Sequence, residues 1–176
     1  MKRNKPVLGL TMGDPAGIGP EICLAALGSE VVTRVCIPVL FGDAGILRRV
    51  AGHGFKNWED AVITLPEFEA MGTVKKPCVV DCGAVDARKV RPGRIAAACG
   101  RASYAYIESA VREAMAGRIQ GVVTAPIHKE SLNLSGVKHP GHTEIFTALT
   151  GARRSCMMLY SDVLTVTMVT VAVDWN

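Results

Sequence analysis

Short apolar segments alternate with helically patterned segments along most of this chain. Five runs rich in Val, Ile and Leu, bounded by glycine, proline or polar residues, are typical of buried strands: 6–12, 35–42, 61–66, 77–83 and 121–126. Apolar side chains recur at helical spacing in three further segments that contain or end at a glycine: 20–30, 43–54 and 92–117. Pro38 predicts an edge strand or a bulge in the second run. Strands that alternate with helices in this way predict an α/β fold.

The last third of the chain changes from helices to strands. Its pattern predicts a helical turn, a loop, a second helix and two strands, at 128–136, 137–142, 143–151, 155–162 and 163–173. A tight turn near Ser161 and Asp162 separates the two strands. No helical pattern follows the second strand, so we expect the sheet to stop before the alternation is complete.

Composition and charge exclude several classes of protein. Of the 176 residues, 49% are hydrophobic and 20% charged, a balance typical of globular domains, and the low aromatic share of 5% predicts an aliphatic core. The net charge is +4 and the Lys and Arg residues are scattered, so we expect no nucleic-acid partner, although phosphorylated or carboxylated small molecules would fit. With neither a signal peptide nor an apolar run of membrane-span length, we expect a cytoplasmic protein without a membrane partner.

The cysteines predict reduced thiols rather than a disulfide framework. They form no C-x-x-C pair and lie at positions 23, 36, 78, 82, 99 and 156, mostly in apolar surroundings. Cys78 and Cys82 have a loose metal-ligand spacing, but no second cysteine pair and no histidine lies near them. A zinc site is therefore not predicted there.

The glycine-rich segment "TMGDPAGIGPEI" (11–22) follows the first strand. Its spacing does not match G-x-G-x-x-G, and a proline removes an N–H that a pyrophosphate would use, so a Rossmann loop is rejected. Pro20 suits the first position of a helix, with Gly19 as its cap, whereas Asp14 would repel a phosphate. Two interpretations stay open: a strand-to-helix turn whose glycines permit positive φ, or one wall of a ligand crevice.

The chemically richest segment, "TAPIHKESLNLSGVKHPGHTEIF" (124–146), begins at the carboxyl end of a predicted strand. His142 and Thr143 open the following helix, where a hydroxyl, free N–H groups and the helix dipole can hold an anion. Plainer roles are equally open. Thr143 could be an N-cap and His142 a hydrogen-bonded structural residue, His139 a solvated loop residue, and Lys129 with Glu130 a solvated pair.

Three motifs carry a family resemblance. "TMGDPAGIGPEI", "TAPIHKESLNLSG" and "GHTEIF", in this order, closely resemble the 4-hydroxythreonine-4-phosphate dehydrogenase family of pyridoxal phosphate biosynthesis. "GDPAGIGPE" also resembles the opening of the isocitrate and isopropylmalate dehydrogenases. The resemblance implies their three-layer α/β fold, here incomplete.

The resemblance also implies a reaction and a set of ligands. An enzyme of this family uses NAD or NADP to oxidise 4-phosphooxy-threonine to a 3-oxo acid that decarboxylates, with a divalent metal (Zn, Mg or Co) held by histidines. It works as a homodimer on a phosphorylated small molecule, and His142 and Thr143 match its substrate-binding residues. Two alternatives remain: a dehydrogenase of 4-phospho-threonate or 4-phospho-erythronate, and a non-catalytic truncated remnant.

The sequence departs from the family pattern in its length and its histidines. Family members are roughly twice as long, as two lobes require. No histidine follows His142, and Val171–Val173 stand near the expected metal-ligand histidine. The resemblance therefore assigns no catalytic, metal or cofactor-binding residue to this chain. We expect residues 1–176 to be an incomplete N-terminal part of a two-lobed dehydrogenase, with the C-terminal half absent and the chain inactive alone.

Overall fold

The fold is built on a parallel sheet of five strands, and the computed structural model describes residues 5–51 and 57–168. The strands of this sheet are β1 (Val7–Thr11), β2 (Ile37–Gly42), β3 (Val62–Thr64), β4 (Cys78–Asp81) and β5 (Gly121–Thr124), in the order β3-β4-β2-β1-β5. The helices are α1 (Gly19–Gly28), α2 (Glu30–Val35), α3 (Ala44–Val50), α4 (Leu65–Ala70), α5 (Ala97–Met115), α6 (Lys129–Leu134) and α7 (His142–Thr150). The predicted α/β class is confirmed.

The sheet is held together by apolar strands whose side chains form the main core. β1 lies between β2 and β5, in a register that places Leu8 beside both Pro38 and Gly121. Leu40, Phe41 and Val79 are fully buried. Burying side chains of this size stabilises the fold by roughly 1.5–3 kcal/mol each. Because all pairs are parallel, the carboxyl ends of the strands meet at one edge.

The prediction that Pro38 marks an edge strand or a bulge is wrong. β2 is an interior strand, paired with β1 on one side and β4 on the other. The N–H of Ile37 donates to the Pro6 carbonyl on the β1 side, so the backbone of Pro38 faces β4. β4 begins at Cys78, opposite Val39 and one position beyond Pro38. Because no residue of β4 is paired with Pro38, the absence of an N–H on Pro38 removes no hydrogen bond from the sheet.

Two short helices and one helix start differ from the sequence prediction. The short helix α2 was not predicted. The run 61–66 is a strand only as far as Thr64, because Thr64 and Glu67 form a capping box that starts the second unpredicted helix, α4. α5 begins at Ala97 rather than Pro92, since Pro92 and Gly93 lie in a turn. Its predicted end is confirmed by Gly117, which has a φ of 76°. The predicted end of the segment 43–54 lies outside the described residues.

A second, two-stranded sheet follows α7. β6 (Met157–Tyr160) and β7 (Thr165–Met168) pair antiparallel, and the Ser161 hydroxyl accepts from the N–H groups of Val163 and Leu164 in the turn. The predicted hairpin and its turn are confirmed to residue 168, and residues 169–173 of the predicted strand lie outside the described part. Neither strand joins the five-stranded sheet.

The cysteines are unpaired, as predicted. Burial raises the pKa of the Cys23 thiol to about 12 and that of Cys78 to about 11, so both stay protonated and pack as small apolar residues. Two cysteines depart from the expected burial: Cys82 is half-buried, and Cys156 is exposed at the start of the hairpin. Within residues 5–51 and 57–168, no helix is long and apolar enough to cross a membrane.

Candidate functional site

The loop after β1 is joined to the segment after β5 at the carboxyl edge of the sheet. The N–H of Asp14 donates to the Pro126 carbonyl at 2.9 Å. Gly13 has a φ of 72°, and a Cβ on it would lie 2.3 Å from the Pro126 oxygen. Only glycine fits this contact, because both the backbone conformation and the space exclude a side chain.

The glycine loop behaves mainly as a tight strand-to-helix turn. Of its glycines only Gly13 has positive φ, while Gly19 allows close approach, since its Cβ would lie 2.0 Å from the Met12 oxygen. Pro20 lies in the first turn of α1 as predicted, but the N-cap is Ile18 rather than Gly19. The difference of one residue arises because Gly19 already has helical geometry.

Asp14 has a structural role that was not predicted from the sequence. It is buried, and its Oδ1 accepts from the Ala16 N–H at 2.8 Å, closing a local turn. The Ser131 hydroxyl in α6 donates to Oδ2 at a longer 3.5 Å. Asp14 thus connects the glycine loop to α6. The sequence contained a signal for this role. Asp14 lies two residues before Ala16 in a segment rich in Pro and Gly, and an Asp at that spacing commonly accepts from the backbone N–H.

His142 is half-buried at the start of α7 and has a ring nitrogen without a partner. Among the described residues, two buried side-chain nitrogen or oxygen atoms make no hydrogen bond: His142 Nε2 and Thr11 Oγ1. The ring stacks on Phe146, with centroids 6.3 Å apart and planes at 21°. Burial lowers the pKa of His142 below its ordinary value, so the ring is neutral at neutral pH. A neutral imidazole can donate or accept one hydrogen bond at Nε2.

Thr143 stands beside His142 and lines a groove. The groove has a volume of about 220 Å³ and is lined mostly by hydroxyl and small apolar residues: Thr143, Phe146, Thr147, Thr150, Ala152, Ser155 and Cys156. Gly141 is the N-cap of α7, so Thr143 is the second helical residue. The plainer interpretation of Thr143 as an N-cap is therefore wrong, because the helix begins one residue earlier than its pattern suggested.

The amino end of α7 already carries a negative charge. Glu144 lies in its first turn, and its Oε2 is 3.4 Å from the position of a Cβ on Gly141. A carboxylate there is stabilised by the helix dipole and opposes an incoming anion. Recognition of a ligand at this end thus depends on the side chains of His142 and Thr143 more than on the dipole alone.

The other polar residues of the segment have structural or solvated positions. His128 caps α6, since its Nδ1 accepts from the Ser131 N–H at 3.4 Å. His139 stacks on Tyr104 of α5, with ring centroids 6.4 Å apart. Lys129 and Glu130 are exposed in the first turn of α6, as the plainer interpretation has them.

A larger cavity, about 1090 Å³, lies at the opposite edge of the sheet. α2, α4 and α5 end there, so their carbonyl ends disfavour an anion. A cation offsets the partial negative charge at one of these helix ends, since the Lys5 Nζ donates to the Thr33 carbonyl of α2 at 2.6 Å. The cationic side chains of Lys5, Lys75 and Arg118, which line the cavity, lie close to these helix ends.

The described residues do not hold a metal ion by themselves. No three His, Cys, Asp or Glu side chains among residues 5–51 and 57–168 lie close enough together to coordinate one. His142 offers a single unpartnered nitrogen, and a catalytic zinc takes three protein ligands. A metal ion at this site would therefore need further ligands from outside the described residues.

Folding stability should fall as the pH drops because of His142. In the unfolded chain a histidine protonates near about pH 6.5. In the folded state burial lowers the pKa of His142. The contribution of the neutral ring to the free energy of unfolding is therefore fully present above the unfolded pKa, and it is lost as the pH falls through the lowered folded pKa. Urea unfolding between pH 7.5 and pH 5 measures the loss. The variant His142→Gln should lose less stability over this range, and an equal loss in both proteins would contradict the assignment.

Comparison with solved structures defines the class of protein. The crystal structure of a 4-hydroxythreonine-4-phosphate dehydrogenase from Burkholderia phymatum superimposes with a TM-score of 0.79 at 33% identity, over 96% of this chain and 50% of that chain. The fold is thus that of an α/β dehydrogenase, as the resemblance implied, and its three-layer frame is present only in part.

Sequence comparison identifies the family. The family model described as pyridoxal phosphate biosynthetic protein PdxA matches residues 34–175, and the chain belongs to this family. A 4-hydroxythreonine-4-phosphate dehydrogenase of Desulforapulum autotrophicum is 36% identical over 173 residues, 97% of this chain and 50% of the relative. A Symbiobacterium thermophilum protein named "Putative D-threonate 4-phosphate dehydrogenase" is 39% identical over 150 residues, 84% of this chain and 44% of the relative. The chain spans about half the length of the curated relatives it matches.

Proposed function

We propose that this chain forms part of an NAD(P)-dependent dehydrogenase that oxidises 4-phosphooxy-threonine in pyridoxal 5'-phosphate biosynthesis. The observation that carries the proposal is the buried, unpartnered Nε2 of His142 beside Thr143, at the start of α7 in a chain with a dehydrogenase fold. Such a nitrogen is costly unless a ligand, a water molecule or a further polar group supplies the missing hydrogen bond. The relatives named as 4-hydroxythreonine-4-phosphate dehydrogenases support this choice of substrate.

In this proposal the chain binds and orients the substrate. The neutral His142 ring makes a hydrogen bond rather than an ion pair with a substrate oxygen, because burial disfavours its charged form. Thr143 adds a hydroxyl from the adjoining groove. A bound nicotinamide cofactor would supply the hydride acceptor for the secondary alcohol carbon, whose hydroxyl proton would leave to a base. The resulting 3-oxo acid then loses CO₂.

The proposed site needs groups beyond those described. One imidazole and one hydroxyl cannot both hold a divalent metal and fix a phosphorylated acid. In the proposal the metal is held by residues outside the described part of the chain, and a homodimer provides the assembled site. This chain alone then binds substrate weakly and shows no turnover, which is also what a non-catalytic remnant would show.

A second candidate substrate is a four-carbon sugar acid phosphate such as D-threonate 4-phosphate. The Symbiobacterium relative that carries this name is 39% identical, above the 36% of the Desulforapulum relative. The two substrates differ by an amino or a hydroxyl substituent. The described residues offer no group that reads this substituent, so the substrates themselves must distinguish the two functions.

Titration of the chain with both phosphorylated acids and with inorganic phosphate, followed by calorimetry, tests the proposal. We expect both phosphorylated acids to bind more tightly than inorganic phosphate. His142→Ala should weaken binding by about 10-fold, the usual effect of losing one hydrogen bond to a charged ligand. The control His128→Asn changes an exposed histidine and keeps an N-cap, so its affinity should be unchanged.

The same titrations show which proposal fails. Tighter binding of D-threonate 4-phosphate would favour the second substrate. Equal binding of all three ligands, or no effect of His142→Ala, would overturn the assignment of the site. Production of NAD(P)H by the chain alone would overturn the expectation that groups from elsewhere complete the site.

A further inference from the structure

The connection from β4 to α5 contains a tight turn with an exposed arginine at each end. The N–H of Arg94 donates to the Arg91 carbonyl at 3.1 Å, and Pro92 and Gly93 lie between them. Gly93 has a φ of 71°, as the third residue of a type II turn requires. We name residues 91–94 the arginine turn. The first and last Cα atoms of a β-turn lie within about 7 Å of each other, so both guanidinium groups can reach one ligand.

Hydrogen bonds to other segments hold the arginine turn in place. Directly before the turn, the Arg49 guanidinium donates to the Val90 carbonyl at 2.8 Å. Within the turn, the Gly93 N–H donates to the Ala16 carbonyl of the glycine loop at 2.7 Å. The two arginine side chains therefore extend from a fixed backbone, which reduces the conformational entropy that a ligand must remove on binding.

The arginine turn lies at the edge of the sheet where open α/β folds bind their ligands. The glycine loop follows the carboxyl end of β1, and the arginine turn belongs to the connection that follows the carboxyl end of β4. The winding direction of the sheet changes at β1, because β2 lies on one side of it and β5 on the other. Ligands of such sheets bind outside the carboxyl ends of the strands at this kind of switch point.

The positive charges of the arginine turn are not neutralised by neighbouring carboxylates. Among the described residues neither Arg91 nor Arg94 forms an ion pair, whereas Arg88 nearby is paired with Asp86 at 3.0 Å. Residues 82–101 contain five basic residues and one acidic residue, an excess as large as the net charge of +4 of the whole chain. Acidic residues balance the basic ones elsewhere, so the unbalanced positive charge is concentrated around this turn.

The amino end of α5 adds to the positive potential beside the arginine turn. α5 begins at Ala97, its N-cap Ala96 makes no side-chain hydrogen bond, and its first turn has no acidic residue. The first turns of α1 and α7, in contrast, carry Glu21 and Glu144. An anion held by the arginines would therefore also be stabilised by the dipole of α5.

We propose that Arg91 and Arg94 bind a phosphate monoester. The inference rests on the proposed function for the source of this group, which is either the phosphorylated substrate or the 2'-phosphate of NADP. A guanidinium group donates two parallel hydrogen bonds to phosphate oxygens, and two such groups on one turn surround a single phosphate. The glycine loop then forms one wall of the ligand crevice, because its Ala16 carbonyl fixes the turn.

NMR titration of this chain with two pairs of ligands tests the proposal. Only one member of each pair carries a phosphate monoester: 4-phosphooxy-threonine against 4-hydroxythreonine, and NADP against NAD. We expect at least one phosphorylated ligand to bind at least about 10-fold more tightly than its counterpart, and the pair that shows this preference identifies the source of the phosphate. The double variant Arg91→Gln with Arg94→Gln should reduce the preference to less than about 3-fold.

Two further double variants separate recognition by the turn from general charge. Lys75→Gln with Lys76→Gln also removes two exposed positive charges, but at the opposite edge of the sheet, and should change the preference by less than about 2-fold. Arg91→Lys with Arg94→Lys keeps the charge and loses the planar fork, so it should lower the preference by an intermediate factor. Circular dichroism checks that each variant is folded.

The proposal is overturned by any of three results. They are the absence of a preference in both pairs, a preference that persists in the glutamine variant of the arginine turn, and an equal loss in the lysine control. His142→Ala distinguishes this inference from the proposed function. If only the arginine variant weakens binding, the phosphate site stands and the assignment of His142 fails, whereas the opposite result retains His142 and removes the arginine site.

Discussion

Replacing Gly13 by alanine should destabilise the protein by about 2–5 kcal/mol. An L-residue at a φ of 72° costs about 1–2 kcal/mol, and forcing a methyl group into a packed site costs about 1–3 kcal/mol more. The new Cβ would meet the Pro126 oxygen at 2.3 Å, and a backbone atom there cannot move aside cheaply. Urea unfolding followed by circular dichroism measures the change.

Gly17 provides a matched control within the same loop. Its Cβ would lie 3.4 Å from the Asp14 oxygen, and its φ is not positive. Gly17→Ala should therefore change the free energy of unfolding by less than about 1 kcal/mol. Equal effects of the two substitutions would show that the junction between β1 and β5 does not require a glycine at position 13.

Replacing Asp43 by alanine should cost about 3–5 kcal/mol of stability. Asp43 is 2% exposed at the end of β2, and its carboxylate accepts from the Tyr106 hydroxyl and from the N–H groups of Ala84 and Val85. Its removal leaves three donors without an acceptor. A buried unsatisfied group costs about 1–3 kcal/mol, and the half-buried N–H groups of Ala84 and Val85 lie near the lower end of that range. Thermal and urea unfolding report the loss.

Tyr106→Phe is the smaller change in the same network. It removes one hydrogen bond and leaves both backbone donors with their acceptor, so we expect a loss of about 1–2 kcal/mol. The combined variant should cost little more than Asp43→Ala alone, because the two groups share one interaction. Full additivity would contradict the network.

The sequence was sufficient to locate the strands because their signals are local. β1, β2, β4 and β5 coincide with short apolar runs, and the end of α5 coincides with a glycine. α4 was missed although its signal was present, since Thr64 and Glu67 form the T-x-x-E pattern of a capping box. The Val, Ile and Leu content of the run outweighed that pattern in the prediction.

The remaining errors arise from contacts between distant segments. Pro38 is tolerated inside the sheet only because β4 begins one position later, and no local pattern encodes where a neighbouring strand begins. The start of α5 is delayed by a turn whose Gly93 N–H donates to the Ala16 carbonyl at 2.7 Å. Both facts depend on tertiary structure.

The start of α7 was predicted to within one residue, whereas the role of its first two residues in binding substrate stays a prediction. His142 and Thr143 were selected from the "GHTEIF" segment, and the structure places them together at the start of α7. The spacing of His142 and Phe146 made their stacking foreseeable. The unpartnered Nε2 was not foreseeable, because it depends on which groups from other elements come near the ring.

The position of β1 between β2 and the edge strand β5 sets the order in which the sheet can assemble. β1 pairs with β2 across a short separation, but its other edge waits for β5, and the Val7 N–H bonds to Gln120, 113 residues away. Closing so long a loop is entropically slow compared with local pairing. During synthesis, Val7–Thr11 therefore keeps one open edge until Gly121–Thr124 has left the ribosome. A nascent chain of intermediate length is the species most exposed to misassembly.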